Sequence, residues 1–107
     1  MYIRVGSQWY EILEIESGDI LGKDDFGALH RDTLKLYLST DMAESRKAEV
    51  VLHEVIHGLL TGFLDEKTEE KVCLILGEGL ASFLGDNQDF VVKMMAQLGL
   101  KNGPKDR

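Results

Sequence analysis

The pattern of apolar residues changes from that of β-strands to that of α-helices near residue 40, and this change constrains the fold most strongly. Before it, short runs of β-branched, aromatic and aliphatic residues alternate with turn signals such as Ser17-Gly18-Asp19. In the last run, residues 33–38, a leucine occupies every second position, which predicts a half-buried strand. The sequence therefore predicts an α+β domain. A small, mostly antiparallel N-terminal sheet packs on a central helix, and two further helices follow it.

Three helices are expected in the second part of the chain. The first is expected over residues 42–60, with Asp41 and Glu44 forming a capping box at its start. Because its second half is apolar on nearly every side, we expect other elements to cover it. Thr68 is the expected N-cap of the second helix, and the third helix is expected over residues 89–98. The side chains expected on the inner side of the third helix are Phe90, Val91, Met94, Met95 and Leu98.

Length, charge and cysteine content limit the class of protein. The 107 residues predict one domain over 1–107, in which residues 99–107 form a frayed tail. The formal net charge of −7 argues against nucleic acid and anionic membranes as partners. A single cysteine, Cys73, excludes an intrachain disulfide and is expected to be a small buried hydrophobic residue. With no signal-peptide pattern and no apolar stretch of membrane-spanning length, a soluble cytoplasmic protein is expected.

The motif His53-Glu54-Val55-Ile56-His57 places two histidines four residues apart within the first predicted helix. Residues at this spacing lie on one face of a helix, about 5–6 Å apart between Cβ atoms, so both imidazoles can bind one ion. On a strand the same spacing would separate them by about 13 Å. Glu54 lies about 100° around the helix, where its carboxylate can take a proton from a metal-bound water without acting as a ligand. The motif therefore predicts Zn²⁺ binding, with Glu54 as the catalytic base of peptide hydrolysis.

A catalytic zinc site needs a third protein ligand and keeps one position for water. Candidates after the motif are carboxylates, and Cys73 is a weaker one. The acidic candidates are Glu66, Glu69, Glu70 and Glu78. The expected geometry does not rank Glu69, Glu70 and Glu78. The alternative role for an acidic pair at the start of a helix is to complement the charge of the helix N-terminus.

Residues 48–90 resemble the small zincin-like metallopeptidases encoded by phages and mobile elements. These are related in pattern to SprT-like and anti-repressor-cleaving zinc peptidases. The stretches that carry the resemblance are V-V-L-H-E-V-I-H-G-L, L-D-E-K-T-E-E-K-V and L-G-E-G-L-A-S-F-L-G-D-N. The resemblance implies a gluzincin-type minimal domain with Glu54 as the catalytic base. The zinc ligands that it implies are His53, His57 and Glu70, with Glu69 and then Glu78 in reserve.

The resemblance also implies an edge strand beside the cleft, to which an extended protein or peptide substrate adds as one more strand. We expect this edge within residues 27–36, where Gly27 and His30 are possible cleft residues. The alternative for His30 is a surface position in a loop. Asp86 and Asn87 match structural positions and are expected to cap the last helix. Gln88 stands where these proteins tend to have proline, which affects a turn and not the site.

Two functions are compatible with these features. The first is zinc-dependent peptide-bond hydrolysis by a bacterial or phage-encoded enzyme. The alternative is a zinc-stabilised binding or regulatory module without significant peptidase activity, because 107 residues leave little room for a second lobe that grips substrate. A purely structural zinc would have a fourth protein ligand, whereas a catalytic zinc keeps a position for water. In a third interpretation the histidines bind no metal and are solvated or packed in the core. The pattern does not indicate the oligomeric state.

Overall fold

The N-terminal part of the chain forms a sheet. The computed structural model describes residues 1–16 and 26–99. Within them the strands are β1 (Tyr2–Val5), β2 (Gln8–Ile15), β3 (Gly27–His30) and β4 (Lys35–Ser39). Their spatial order is β1-β2-β4-β3, with antiparallel pairing of β1 with β2 and of β3 with β4, and parallel pairing of β2 with β4. The mostly antiparallel sheet is confirmed, and β3 lies at one of its edges.

Three helices follow the described strands: α1 (Glu44–Leu60), α2 (Glu66–Asp86) and α3 (Gln88–Gln97). α1 contacts α2 as well as strands β1, β3 and β4, so its predicted central position is confirmed. Its Val50 packs against Leu36 and Leu38 of β4 in the hydrophobic core. The chain is therefore α+β, with N-terminal strands and C-terminal helices. Within the residues that the structure describes, no helix has both the length and the apolar character needed to cross a membrane.

β4 is a buried inner strand, whereas the leucine pattern predicted a half-buried one. It begins at Lys35 because Leu34 has a φ of 57°, in the left-handed region that does not fit a strand. Four consecutive residues of β4 are buried on both faces of the sheet, where strands β2 and β3 flank it. The ring of Tyr37 packs edge-on against the ring of His30.

The predicted start of the first helix is wrong by two residues. α1 begins at Glu44, and its N-cap residue is Ala43, whose side chain makes no capping hydrogen bond. Instead of opening the helix, Asp41 lies in a turn, where its backbone N–H donates to Ser39 Oγ at 3.0 Å. Asp41 is therefore not the N-cap residue that the predicted capping box requires.

The predicted start of the second helix is also wrong, because its N-cap is Asp65 and not Thr68. The Asp65 carboxylate accepts hydrogen bonds from the backbone N–H of Thr68 at 2.9 Å and from its hydroxyl at 2.8 Å. These bonds stabilise the ionised form, so the pKa of Asp65 is lower than usual. The earlier start makes Glu66 and Lys67 part of the helix, so Glu69 and Glu70 lie within regular helix.

The third helix lies within one residue of its predicted position, but its apolar side is not an inner side. None of its residues is buried, and among the described elements α3 contacts only α2. Asn87 occupies the N-cap position without making a capping bond and donates instead from Nδ2 to the carbonyl of Phe83. Asp86 is the last residue of α2, so the predicted caps are not formed. The turn predicted at residues 17–19 and residues 100–107 of the predicted tail lie outside the described residues.

α1 and α2 are in close contact where Gly77 lies against the backbone of His53. A Cβ on Gly77 would lie 3.3 Å from both Cα and Cβ of His53 and 3.4 Å from its N. One turn earlier on α2, Cys73 is fully buried, and this burial raises the pKa of its thiol to about 11. Cys73 is thus the small buried residue that the sequence predicted. These two small residues allow the two helices to pack tightly.

Replacing Gly77 with alanine is expected to lower the free energy of unfolding by about 1 kcal/mol, because the new methyl group meets backbone that cannot rotate away. The matched control is Gly85→Ala on the same helix, where a Cβ has no neighbour within 4 Å. The higher helix propensity of alanine should raise the free energy of unfolding of this control by about 0.5–1 kcal/mol. Urea unfolding in the presence of a chelator measures both variants, and equal stabilisation of the two would contradict the tight contact.

Candidate metal centre

His53 and His57 lie one turn apart on α1, and both face the beginning of α2. Their ring centroids are 4.9 Å apart. The Glu70 carboxylate spans the pair, with Oε1 3.1 Å from His53 Nε2 and Oε2 2.9 Å from His57 Nε2. Each of the three side chains offers a donor atom, and these atoms all lie within 4.8 Å of one another. Among the described residues, this is the group of side chains that could hold a metal ion.

Glu69 contacts the other ring nitrogen of His57. Its Oε2 lies 2.7 Å from His57 Nδ1, and its side chain is 15% exposed, compared with 60% for Glu70. Because a carboxylate accepts hydrogen bonds, we assign a proton to Nδ1, which then donates a hydrogen bond to Glu69. This contact fixes the orientation of the imidazole and directs Nε2 towards Glu70. Sequence reasoning named Glu69 as a reserve ligand or as a charge that complements the helix N-terminus, and the two adjacent acidic residues were the signal for this further role.

The surroundings of His57 favour a positive charge. Burial lowers the pKa of its imidazole, but the hydrogen bond with Glu69 and the charges of Glu54, Glu70 and Glu69 together outweigh this effect. The pKa of His57 is therefore raised above its usual value. A proton or a bound cation can supply the positive charge that these carboxylates stabilise.

Glu54 lines the same cleft as the two histidines and Glu70, and it contacts the edge strand. Its Oε1 accepts a hydrogen bond from the backbone N–H of Leu29 in β3 at 3.1 Å. The edge strand can come this close because Gly27 has no side chain. A Cβ there would lie 2.6 Å from Val50 Cγ1 and 3.5 Å from Glu54 Cγ. The peptide group of Leu29 is a contact to Glu54 that side-chain patterns in the sequence cannot reveal.

A cleft of about 470 Å³ lies over the histidines and is bounded by β3, α1 and α2. Its lining is acidic, with four carboxylates besides the histidines and one guanidinium. The lining residues are Phe26, Gly27, Arg46, Glu49, Val50, His53, Glu54, His57, Glu70, Leu74 and Glu78. Glu78 thus shares the cleft with the histidines but does not belong to the three-residue donor group. Sequence reasoning missed Arg46, whose guanidinium lies 5.5 Å from the centroid of the Phe26 ring.

Of the two residues expected at the edge of the cleft, the structure places one in its lining. Gly27 lines the cleft, whereas His30 is not among its lining residues. His30 is half-buried at the end of β3, not in a loop, with its ring centroid 5.0 Å from that of Tyr37. The edge strand is limited to β3, because Lys35 and Leu36 belong to the inner strand β4.

Comparisons with known proteins found no relative of the chain that could indicate the role of the site. No protein-family model matches the chain, and no curated protein or solved structure is significantly similar to it. The geometry and chemistry of the site are therefore the basis for a functional assignment.

Proposed function

We propose that the chain is a minimal zinc metallopeptidase in which His53, His57 and Glu70 bind the ion. The observation that carries this proposal is the position of the Glu70 carboxylate, whose oxygens lie 3.1 and 2.9 Å from the two histidine Nε2 atoms. In a tetrahedral site with zinc–ligand bonds of about 2.0–2.1 Å, neighbouring ligand atoms are about 3.3–3.4 Å apart. Two imidazoles and one carboxylate also form a donor set of catalytic zinc sites, with the fourth position left for water.

In the proposed reaction, Glu54 is the general base. When bound, zinc supplies a Lewis acid that lowers the pKa of a water molecule to about 7 and polarises the substrate carbonyl. Glu54 accepts the proton as the water oxygen bonds to the carbonyl carbon, and it donates that proton to the amine when the C–N bond breaks. The hydrogen bond from Leu29 N–H supports this role, because it holds the carboxylate in the cleft that the three proposed ligands also line.

We propose a protein or peptide segment as the substrate. β3 is an edge strand, and its Gly27 lines the cleft beside Glu54. An extended peptide can add to such an edge through main-chain hydrogen bonds. The acidic lining argues against nucleic acid as the substrate, because carboxylates repel phosphates. The free thiol of Cys73 is compatible with the reducing cytoplasm, which we propose as the location.

The combination of two helical histidines, a carboxylate from the next helix and a base beside an edge strand also supports membership of the zincin-like metallopeptidases. The competing proposal, a zinc-stabilised binding module, uses the same ligands. It differs in having no turnover, so metal content and hydrolysis have to be measured separately.

Zinc content tests the ligand set. We expect the purified wild-type protein to hold about one zinc ion per chain, and His53→Ala or Glu70→Ala to lose it. The matched control is Glu78→Ala, which removes a carboxylate from the same cleft and should keep the zinc. The measurement is mass-spectrometric metal analysis after dialysis. Near-stoichiometric zinc in His53→Ala, its loss in Glu78→Ala, or its absence from the wild-type protein would contradict the assignment.

Glu54→Gln separates catalysis from metal binding. This variant should retain zinc, because Glu54 is not a proposed ligand. Its rate of peptide hydrolysis should fall by a factor of about 10²–10⁴, because the amide cannot accept the proton. Turnover of a peptide library, followed by mass spectrometry, measures the loss. Unchanged turnover in the variant would exclude Glu54 as the base. A stoichiometric zinc protein that cleaves no peptide would instead favour the binding module.

Glu69→Ala tests the orientation of His57. Loss of the carboxylate on Nδ1 is expected to weaken zinc binding by about 10–100-fold, because outer carboxylates fix the ring and raise the basicity of the ligand nitrogen. The control is Glu66→Ala, which removes an equal charge from the same first turn of α2. Competition with a chromophoric chelator measures both affinities. An equal loss in the two variants would show that Glu69 contributes only its charge.

A further inference from the structure

We propose that the chain forms a two-fold symmetric dimer through an apolar surface on α2 and α3, which we call the α2–α3 face. The face comprises six exposed side chains on α2, on α3 and directly after it. They are Leu76, Leu80, Phe83, Phe90, Met95 and Leu98. This surface contains none of the proposed zinc ligands, so the inference stands apart from the proposed function.

α2 is an apolar helix that is covered along only part of its circumference. Its buried residues are Cys73 and Gly77, which lie next to α1. Between residues 72 and 85 the helix carries one charged residue, Glu78. Helices that are apolar on all sides are normally enclosed by other elements. The uncovered side of α2 therefore has the composition of an interface.

The face lies away from the cleft. Glu70, Leu74 and Glu78 follow each other at intervals of four residues and line the cleft. Leu76 and Leu80 belong to a different line along the helix, since Leu76 is about 160° around the axis from Leu74 at 100° per residue. A partner on the α2–α3 face would leave the histidines and the cleft accessible.

α3 depends on this face for its packing. It has ten residues, none of them buried, and among the described elements it contacts only α2. Helices shorter than about 12–15 residues are marginal in water without tertiary packing. The rings of Phe83 and Phe90 meet edge-on with centroids 6.4 Å apart, which joins the apolar sides of the two helices into one surface. A second surface packed against the joined apolar sides of α2 and α3 would cover both helices at once.

The size of the face matches a second copy of the chain. Its side chains are 42–64% exposed, and with about 150–250 Å² for each large side chain this amounts to roughly 600 Å² per protomer. This is the upper end of the apolar patch that a typical monomer exposes, and two copies would bury roughly 1,200 Å², the lower limit of a stable specific interface.

The composition of the face also favours a second copy of the chain over a charged partner. None of its six side chains is charged, and homodimer interfaces are more apolar than the rest of the protein surface. Residues 72–98 contain three carboxylates and one lysine, a net charge of −2 out of −7 for the chain. Most of the acidic charge that would repel a second copy therefore lies elsewhere in the sequence.

The test is the mass of the full chain in solution, measured by light scattering during size-exclusion chromatography from low to high micromolar concentration. The wild-type protein should have twice the mass of the 12.0 kDa chain, and Phe83→Glu should halve it. The matched control is Phe63→Glu, at an 80% exposed position in the turn before α2. Phe63 precedes α2, whose first residue, Glu66, is about 25 Å along the helix axis from Phe83, so this variant should remain a dimer.

Two results would overturn the proposal: a wild-type protein with the mass of a monomer, or a Phe83→Glu variant that remains a dimer. Circular dichroism establishes that each variant is folded. If Phe83→Glu does not fold, Leu98→Glu decides in its place, because Leu98 is 64% exposed and lies after the end of α3. The masses should be the same with and without a chelator. Failure of the zinc assignment would therefore leave the dimer intact, and failure of the dimer would leave the zinc assignment intact.

Discussion

The candidate site depends on the close packing of α1 and α2, which the absence of a side chain at Gly77 permits. A Cβ there would lie 3.3 Å from the Cα of His53. Because the helices are this close, the first turns of α2 bring Glu69 and Glu70 within hydrogen-bond distance of His57. A wider separation of the helices would leave the two histidines without carboxylate partners.

The carboxylates of Glu69 and Glu70 contact different nitrogens of the His57 imidazole. Glu69 holds Nδ1, and Glu70 approaches Nε2 of both His57 and His53. The raised pKa of His57 follows from this crowding of negative charge. A proton and a metal ion would compete for the same nitrogen, so metal binding should weaken as the pH falls through the pKa of His57. The acidic composition of the chain thus has a local consequence at the site.

The sequence was sufficient to predict those parts of the molecule that depend on spacing. The period of apolar residues located the strands and the helices, and the four-residue spacing placed His53 and His57 on one face of α1. It could not separate Glu69 from Glu70, because their relation to the histidines depends on the rotation of α2 about its axis. That rotation is set by packing at Gly77, which no local pattern encodes.

Tertiary context also explains the wrong predictions. Asp65 caps α2 in place of Thr68, because the helix begins three residues earlier than its apolar pattern. β4 is buried on both faces since neighbouring elements cover it. The apolar side of α3 was predicted correctly as a stripe, but periodicity does not reveal what covers such a stripe. In the described structure nothing buries it, and this exposure is the basis for the proposed dimer.

A crystal structure of the zinc-loaded protein tests the central claim most directly, because it identifies each atom bound to the ion. We expect one zinc ion bound by Nε2 of His53, Nε2 of His57 and the carboxylate of Glu70, with a water molecule in the fourth position. Glu69 should remain on Nδ1 of His57. A fourth protein ligand in place of water, or an ion bound away from the two histidines, would contradict the account.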